Sequence, residues 1–246
     1  MLLEQLKIEL KIYLRQPLYL LFSVVMPAVS FGIFGSIYKD ASYGGLDFFA
    51  AYIPGFCVII LFATGVFNVA NQVVSEREHG IYRRLSVTPV SMLRVMCVVV
   101  LKVFLVSVLS FILILLLAFF VFDITPPALW FFVPAFLATV LVALVFGFTF
   151  GALFDKTNQF SAAGMAIFTP LILLSDATLP LQVMPGYLKT IAQVNPLYRL
   201  NLLLRAAWDP ASHAVSSGSL LESIAVLALL LMVASTAAYL RWRAPR

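Results

Sequence analysis

From Val103 to Phe122 the chain runs for about 20 residues without a charge, and Leu18–Tyr38, Phe48–Ala70, Leu129–Phe154 and Gln159–Ser175 are equally uncharged. A sixth apolar run, Leu220–Leu240, carries only Glu222. A helix rising about 1.5 Å per residue needs about 20 mainly apolar residues to cross the ~30 Å hydrocarbon core of a bilayer. Each run is therefore a candidate span. Charged residues make up 11% of the sequence, under half the roughly 25% usual in soluble domains, and the mean hydropathy is +1.04. A soluble fold could not hide that much apolar surface. The expected fold class is an all-α integral membrane protein, one transmembrane domain over residues 1–246 with six transmembrane helices.

The third run is longer than one crossing requires. It occupies much of Ser91–Phe122 and contains Lys102. The simpler reading makes Ser91–Leu101 an interfacial extension, with Lys102 snorkelling to headgroups. The sharper one places an intramembrane charge against a pathway. Orientation follows from the short loops, because Lys and Arg collect on the cytoplasmic side. Lys7, Lys11, Arg15, Arg77, Arg83, Arg84, Arg94, Lys156, Arg241, Arg243 and Arg246 fall on one side, and only Lys39, Lys189, Arg199 and Arg205 on the other. Both termini are expected to be cytoplasmic, as an even number of spans requires. The net charge of +5 is used up in this topology signal and points to no nucleic-acid partner. Cys57 and Cys97 both lie in apolar stretches and suggest neither a metal site nor a disulfide.

Residues 1–16 alternate charge with apolar side chains before any long run, which argues against a cleavable signal peptide. On a helical wheel Leu2, Leu3, Leu6, Leu10, Tyr13 and Leu14 share one side, with Glu4, Lys7, Lys11 and Arg15 beside them. This predicts an amphipathic helix in the cytoplasmic interface; a plain helical cap to the first span is the alternative.

Two connecting segments are not ordinary loops. Asn71–Pro89 holds Glu76, Arg77, Glu78, His79, Arg83 and Arg84 in a chain otherwise nearly free of charge. Helical spacing brings Glu76, Arg83 and Arg84 near one another, Gly80 allows a bend, and Pro89 ends the element. Val73, Val74, Ile81 and Leu85 supply an apolar side. A rigid amphipathic helix with mixed charge suits docking on a soluble protein; a solvated positive loop explains the arginines but not the interleaved acids. Asp176–Gly218, on the opposite side, has apolar residues at helical spacing broken by Pro180, Pro185 and Pro196. Each piece is too short to cross. Two half-helices dipping into the bilayer fit this pattern, with helices lying flat on the surface as the alternative.

The sequence has no G-x-x-x-x-G-K-[ST] phosphate loop, no H-E-x-x-H and no G-x-S-x-G. Its two histidines, His79 and His213, fall on opposite sides of the membrane, so no metal site is expected. Asp123, Asp155, Asp176 and Glu222 all lie near span ends, leaving no evident midplane carboxylate for an ion-coupled carrier. Catalysis is not expected of this chain.

The arrangement resembles the type-2 ABC transporter permeases over nearly the whole chain. The most specific match is Glu76-Arg77-Glu78-His79-Gly80, followed by Leu85 and Thr88-Pro89; Lys102 also matches a lysine often found in the third span of such proteins. A second match runs through Ser175, Leu179-Pro180, Met184-Pro185 and Asn195-Pro196-Leu197, with Arg205. Two positions depart: Asp176 stands where glycine is usual, which would place an acid at the outer mouth, and Ile81 where threonine often follows the glycine. The resemblance implies that residues 71–89 couple to an ATP-binding subunit through Glu76, Arg77, Glu78, His79, Gly80, Arg83, Arg84, Leu85 and Pro89. It implies an outer re-entrant gate at Asp176, Pro180, Pro185, Asn195, Pro196 and Arg205. Two permease chains, alike or different, would form the pathway above two ATPase subunits, which bind the ATP and Mg2+ while this chain binds no cofactor. The setting would be a plasma membrane, such as a bacterial inner membrane. A Phe-rich pathway without midplane charge favours an amphipathic drug, antibiotic or lipid-like substrate; polysaccharide export is the alternative within the family, and an ATP-independent channel or carrier the alternative outside it.

Overall fold

The computed structural model describes residues 2–38, 42–43, 46–87, 92–124, 128–178, 181, 184–210 and 215–243. Helix α1 (Leu2–Leu14) is followed by α2 (Pro17–Leu20), a π-helical stretch at Leu21–Val25 and α3 (Met26–Tyr38). Two-residue strands β1 (Ser42–Tyr43) and β2 (Leu46–Asp47) pair antiparallel, the single departure from helix in the regular structure described. Then come α4 (Phe48–Leu61), a second π-helical stretch at Phe62–Asn68, and α5 (Val69–Glu78). The chain continues through α6 (Ile81–Ser86), α7 (Met92–Phe122), α8 (Leu129–Ala152) and α9 (Thr157–Leu173). It ends with α10 (Gly186–Ala192), α11 (Pro196–Trp208) and α12 (Ser217–Arg243).

Among the described residues, four helical rods are long and apolar enough to cross a membrane: Phe48–Glu78, Arg94–Phe122, Leu129–Ala152 and Ser217–Leu240. The first expected span contributes a shorter apolar helix, Ser23–Tyr38. The fifth is the 17-residue α9, about 26 Å long at the α-helical rise. The third run is one unbroken helix, α7, of 31 residues with Lys102 inside it, within the expected Ser91–Phe122.

The apolar runs give no hint of which side faces the protein, since both sides of a lipid-bathed helix are apolar. Burial separates them. On α7, Val99, Val103, Val106, Ser110 and Ile114 turn inward at helical spacing, while Leu105, Leu109, Ile112, Leu116 and Phe120 are exposed. The rod Phe48–Glu78 is the most enclosed of the four, with 78% of its most apolar window buried. Around its Phe48 end, Phe31 of α3 meets Phe56 of α4 edge-to-face at 5.3 Å and Phe122 of α7 at 5.8 Å.

Lipid provides no hydrophobic drive between helices, so close backbone approach and dispersion contacts must hold them. The tightest approach is between the central rod and α8. A Cβ at Gly147 would strike the Gly65 carbonyl oxygen, and one at Gly151 would lie 2.8 Å from that of Ala70. Both obstacles are backbone and cannot swing aside. Gly147→Ala is therefore expected to lower the unfolding free energy by about 1–3 kcal/mol, as overpacking does. Gly32→Ala on α3, where a new Cβ meets nothing within 4 Å, should leave it unchanged or slightly raised. Denaturant melts of the detergent-purified chain compare the two.

Candidate functional site

At the Glu78 end of the central rod the helix breaks sharply. Gly80 adopts φ +68 with open space around it, so the backbone conformation, not crowding, calls for glycine there. The His79 N–H donates to the Ser75 carbonyl at 3.0 Å, and that of Gly80 to Arg77 at 3.0 Å, before α6 begins at Ile81. His79, Ile81, Arg84 and Val87 are exposed and Leu85 half-buried. Pro89 and the Arg83 side chain lie outside the described residues.

The charges of this segment are not all turned outward. The Arg77 guanidinium is mostly buried and donates to the carbonyls of Ala152 at 2.8 Å and Phe154 at 3.2 Å, with Asp155 Oδ1 at 3.5 Å. These are carbonyls at the end of α8 and in the turn after it, which a helix terminus leaves without intrahelical partners. Glu78 Oε2 accepts from the Thr157 backbone N–H at 2.9 Å and from its hydroxyl, capping the start of α9 where the helix dipole favours an anion. Those two bonds hold the Glu78 carboxyl below its ordinary value. The stabilisation is present above the ordinary carboxylate range and is lost as pH falls through the lowered value. Arg77 and Glu78 thus clamp α5 to the α8–α9 turn. The expected grouping of Glu76 with Arg84 is not found: Glu76 accepts from Gln72 Nε2 at 2.7 Å, and Arg84 donates to the His79 carbonyl at 2.7 Å. Burial, and then the Glu76 carboxylate, push the Tyr82 phenol upward.

Lys102 does not snorkel. It is buried, and its ammonium donates to Glu9 Oε2 at 2.9 Å and Gln72 Oε1 at 2.7 Å. Helix α1 packs along α7 with Leu6 and Tyr13 buried and Glu9 between them on the same stripe, while Leu3 and Leu14 are exposed. Helix α1 is therefore held by an ion pair as well as by its apolar side. Sequence reasoning missed Glu9 and Gln72. The signal was present in the Leu6–Glu9–Tyr13 stripe and in the i, i+4 spacing of Gln72 and Glu76.

At the Phe48 end of the rod, Asp176 has φ +58. This explains why glycine fits the position, and an aspartate tolerates the left-handed region better than most side chains. The expected acid at an outer mouth is corrected: Asp176 is buried, accepts from the Leu181 N–H at 2.7 Å and forms an ion pair with Arg205. Arg205 also donates to the Asp176 carbonyl at 2.9 Å and, through Nε, to the Ala51 carbonyl at 3.2 Å. A Cβ at Gly55 would lie 2.9 Å from Ala177 Cα, so the turn sits directly on the central rod. Asn195 caps α11, accepting from the Leu197 N–H at 2.9 Å, and donates to the Leu171 carbonyl at 2.7 Å; Pro196 occupies the first helical turn. Helix α11 buries Leu197, Leu200, Leu204 and Trp208 among α4, α8 and α12. Pro185 starts α10, and Pro180 lies outside the described residues.

A model of the ABC-2 type transporter family matches residues 4–207. The chain belongs to that family. A protein of Cyanophora paradoxa described as "Putative transport permease ycf38" is 28% identical over 223 residues, covering 88% of this chain and 76% of that protein. The chain is accordingly a multi-pass membrane protein, and ABC-2 permeases normally work with an ATP-binding subunit.

The buried pair at Asp176 supplies a stability test. Arg205→Met leaves a carboxylate without its cation and should cost about 3–5 kcal/mol. Adding Asp176→Asn to it should recover much of that loss. A double-mutant cycle by denaturant melting measures both.

Proposed function

We propose that this chain is the membrane subunit of an ATP-driven exporter that moves an amphipathic drug, antibiotic or lipid-like substrate out of the cytoplasm or inner leaflet. The observation that carries the reading is the break at Gly80: the short helix α6, with Ile81 and Arg84 exposed, follows the end of the most enclosed of the four rods. In this reading the chain crosses a plasma membrane six times, with both termini and Asn71–Pro89 cytoplasmic and Asp176–Gly218 outside. Two such chains pair above two ATP-binding subunits, which hold the ATP and Mg2+. His79, Ile81, Arg84 and Val87 face the ATP-binding subunit. Arg77 and Glu78 pass its displacement to α9 as well as along the central rod, and the Asp176–Arg205 pair fixes the outer turn to the rod's other end. Both permease states must lie close in energy for nucleotide binding to choose between them.

The experiment is co-purification of the chain with its ATP-binding subunit, followed by nucleotide-dependent transport in proteoliposomes. Ile81→Ala together with Arg84→Ala should weaken association at least tenfold. Arg77→Ala should keep association but lower transport severalfold, since it cuts the bond to the α8–α9 turn. Equal transport with and without the partner subunit and ATP would contradict the reading.

A further inference from the structure

Beside the Glu78 half of the central rod lies a cavity of about 320 Å3 bordered mainly by α1, the rod and α7, at the small end of the roughly 300–1,000 Å3 typical of ligand pockets. Its lining on the rod runs from Thr64 to Glu76, 12 residues apart by number, so the cavity reaches roughly 18 Å along the rod. Its lining includes the buried valines Val69, Val103 and Val106 and the polar side chains of Asn68, Gln72, Glu9 and Glu76.

The lining holds two carboxylates and one cation among the described residues. That cation is committed, since Lys102 already gives two of its three donors to Glu9 and Gln72. The remaining negative charge faces a cleft with low-dielectric walls, which focuses field lines and concentrates cations. A second feature singles out this place. Thr64 and Asn68 belong to the π-helical stretch Phe62–Asn68, and Tyr13, also lining the cavity, bonds Ser23 of the other π-helical stretch. Such stretches are uncommon in helices and gather at functional positions.

We propose that this cavity is a cytoplasm-side loading site for a small amphipathic organic cation, with Glu76 receiving its ammonium group and the valines its apolar body. The proposal rests on the export reading only in calling the ligand a cargo; binding itself requires neither ATP nor the partner subunit. It also narrows the substrate class, because a neutral sugar chain would leave the surplus negative charge uncompensated.

The probe is radiolabelled hexyltrimethylammonium, measured against the full chain in phosphatidylcholine nanodiscs, with empty discs subtracted and no nucleotide present. Saturable binding is expected, displaced by the unlabelled cation but not by hexanesulfonate. Glu76→Gln should weaken it at least tenfold. Ile12→Trp, at a half-exposed position on the rim, should block binding while the melting temperature stays unchanged, which separates an occluded cavity from a misfolded one. The proposal is overturned by an absence of saturable binding, by equal displacement with hexanesulfonate, or by full affinity in folded Glu76→Gln. Saturable binding without nucleotide-driven transport would contradict the export reading alone.

Discussion

Because Gly147 and Gly151 bring α8 into backbone contact with the central rod, Phe48–Glu78 is fixed in the bundle along its middle and its Glu78 half. The two segments that set this chain apart from a plain helical bundle are attached to that rod. Arg77 and Glu78 tie its Glu78 end to the α8–α9 turn, and the Ala51 carbonyl and Gly55 receive Arg205 and Ala177 near its Phe48 end. Ala51 and Glu78 are separated by roughly 40 Å at the helical rise. A displacement at Gly80 therefore has a continuous physical route to Asp176. In a lipid setting, where apolar burial gives helices little preference for one another, these few polar bonds and close approaches carry a large share of the specificity.

The rod is not uniform. Its π-helical stretch at Phe62–Asn68 falls near the middle, beside both the Gly65 contact and the deep end of the polar cavity. Thr64 there bonds the Ile60 carbonyl at 2.7 Å and Ser107 of α7 at 2.8 Å. Wider hydrogen-bond spacing at this point lets a helix change its local winding without losing its ends. A site at the rod's midpoint and a docking element at its tip would then share one mechanical part. Lys102 adds α1 to the same assembly, since its ammonium bridges Glu9 and Gln72.

Much of this was legible in the sequence, and the failures have physical causes. Charge-free runs located the helices, because bilayer thickness imposes a length that composition displays directly. The break at Gly80 and the cap at Asn195-Pro196 were readable from local backbone chemistry. Partners were not. Arg77 and Glu78 looked like docking charges, but their partners, Ala152, Phe154 and Thr157, lie some eighty residues on and all three are reached through backbone atoms with no sequence signature. Lys102 looked like a snorkelling residue because its carboxylate stands on α1, outside the apolar run that suggested the span. Asp176 looked like an exposed acid because its left-handed backbone and the arginine 29 residues away are invisible to periodicity.

The central claim is that α5 and the α8–α9 turn move as one body when the partner subunit acts. Cysteines placed at Glu78 and Thr157, in a background with Cys57 and Cys97 replaced by serine, can be joined by a short bifunctional thiol reagent in the assembled complex. Nucleotide-dependent transport measured before and after joining tests the claim directly. The account predicts that transport survives within about twofold; its loss on cross-linking, restored by cleaving the linker, would contradict it.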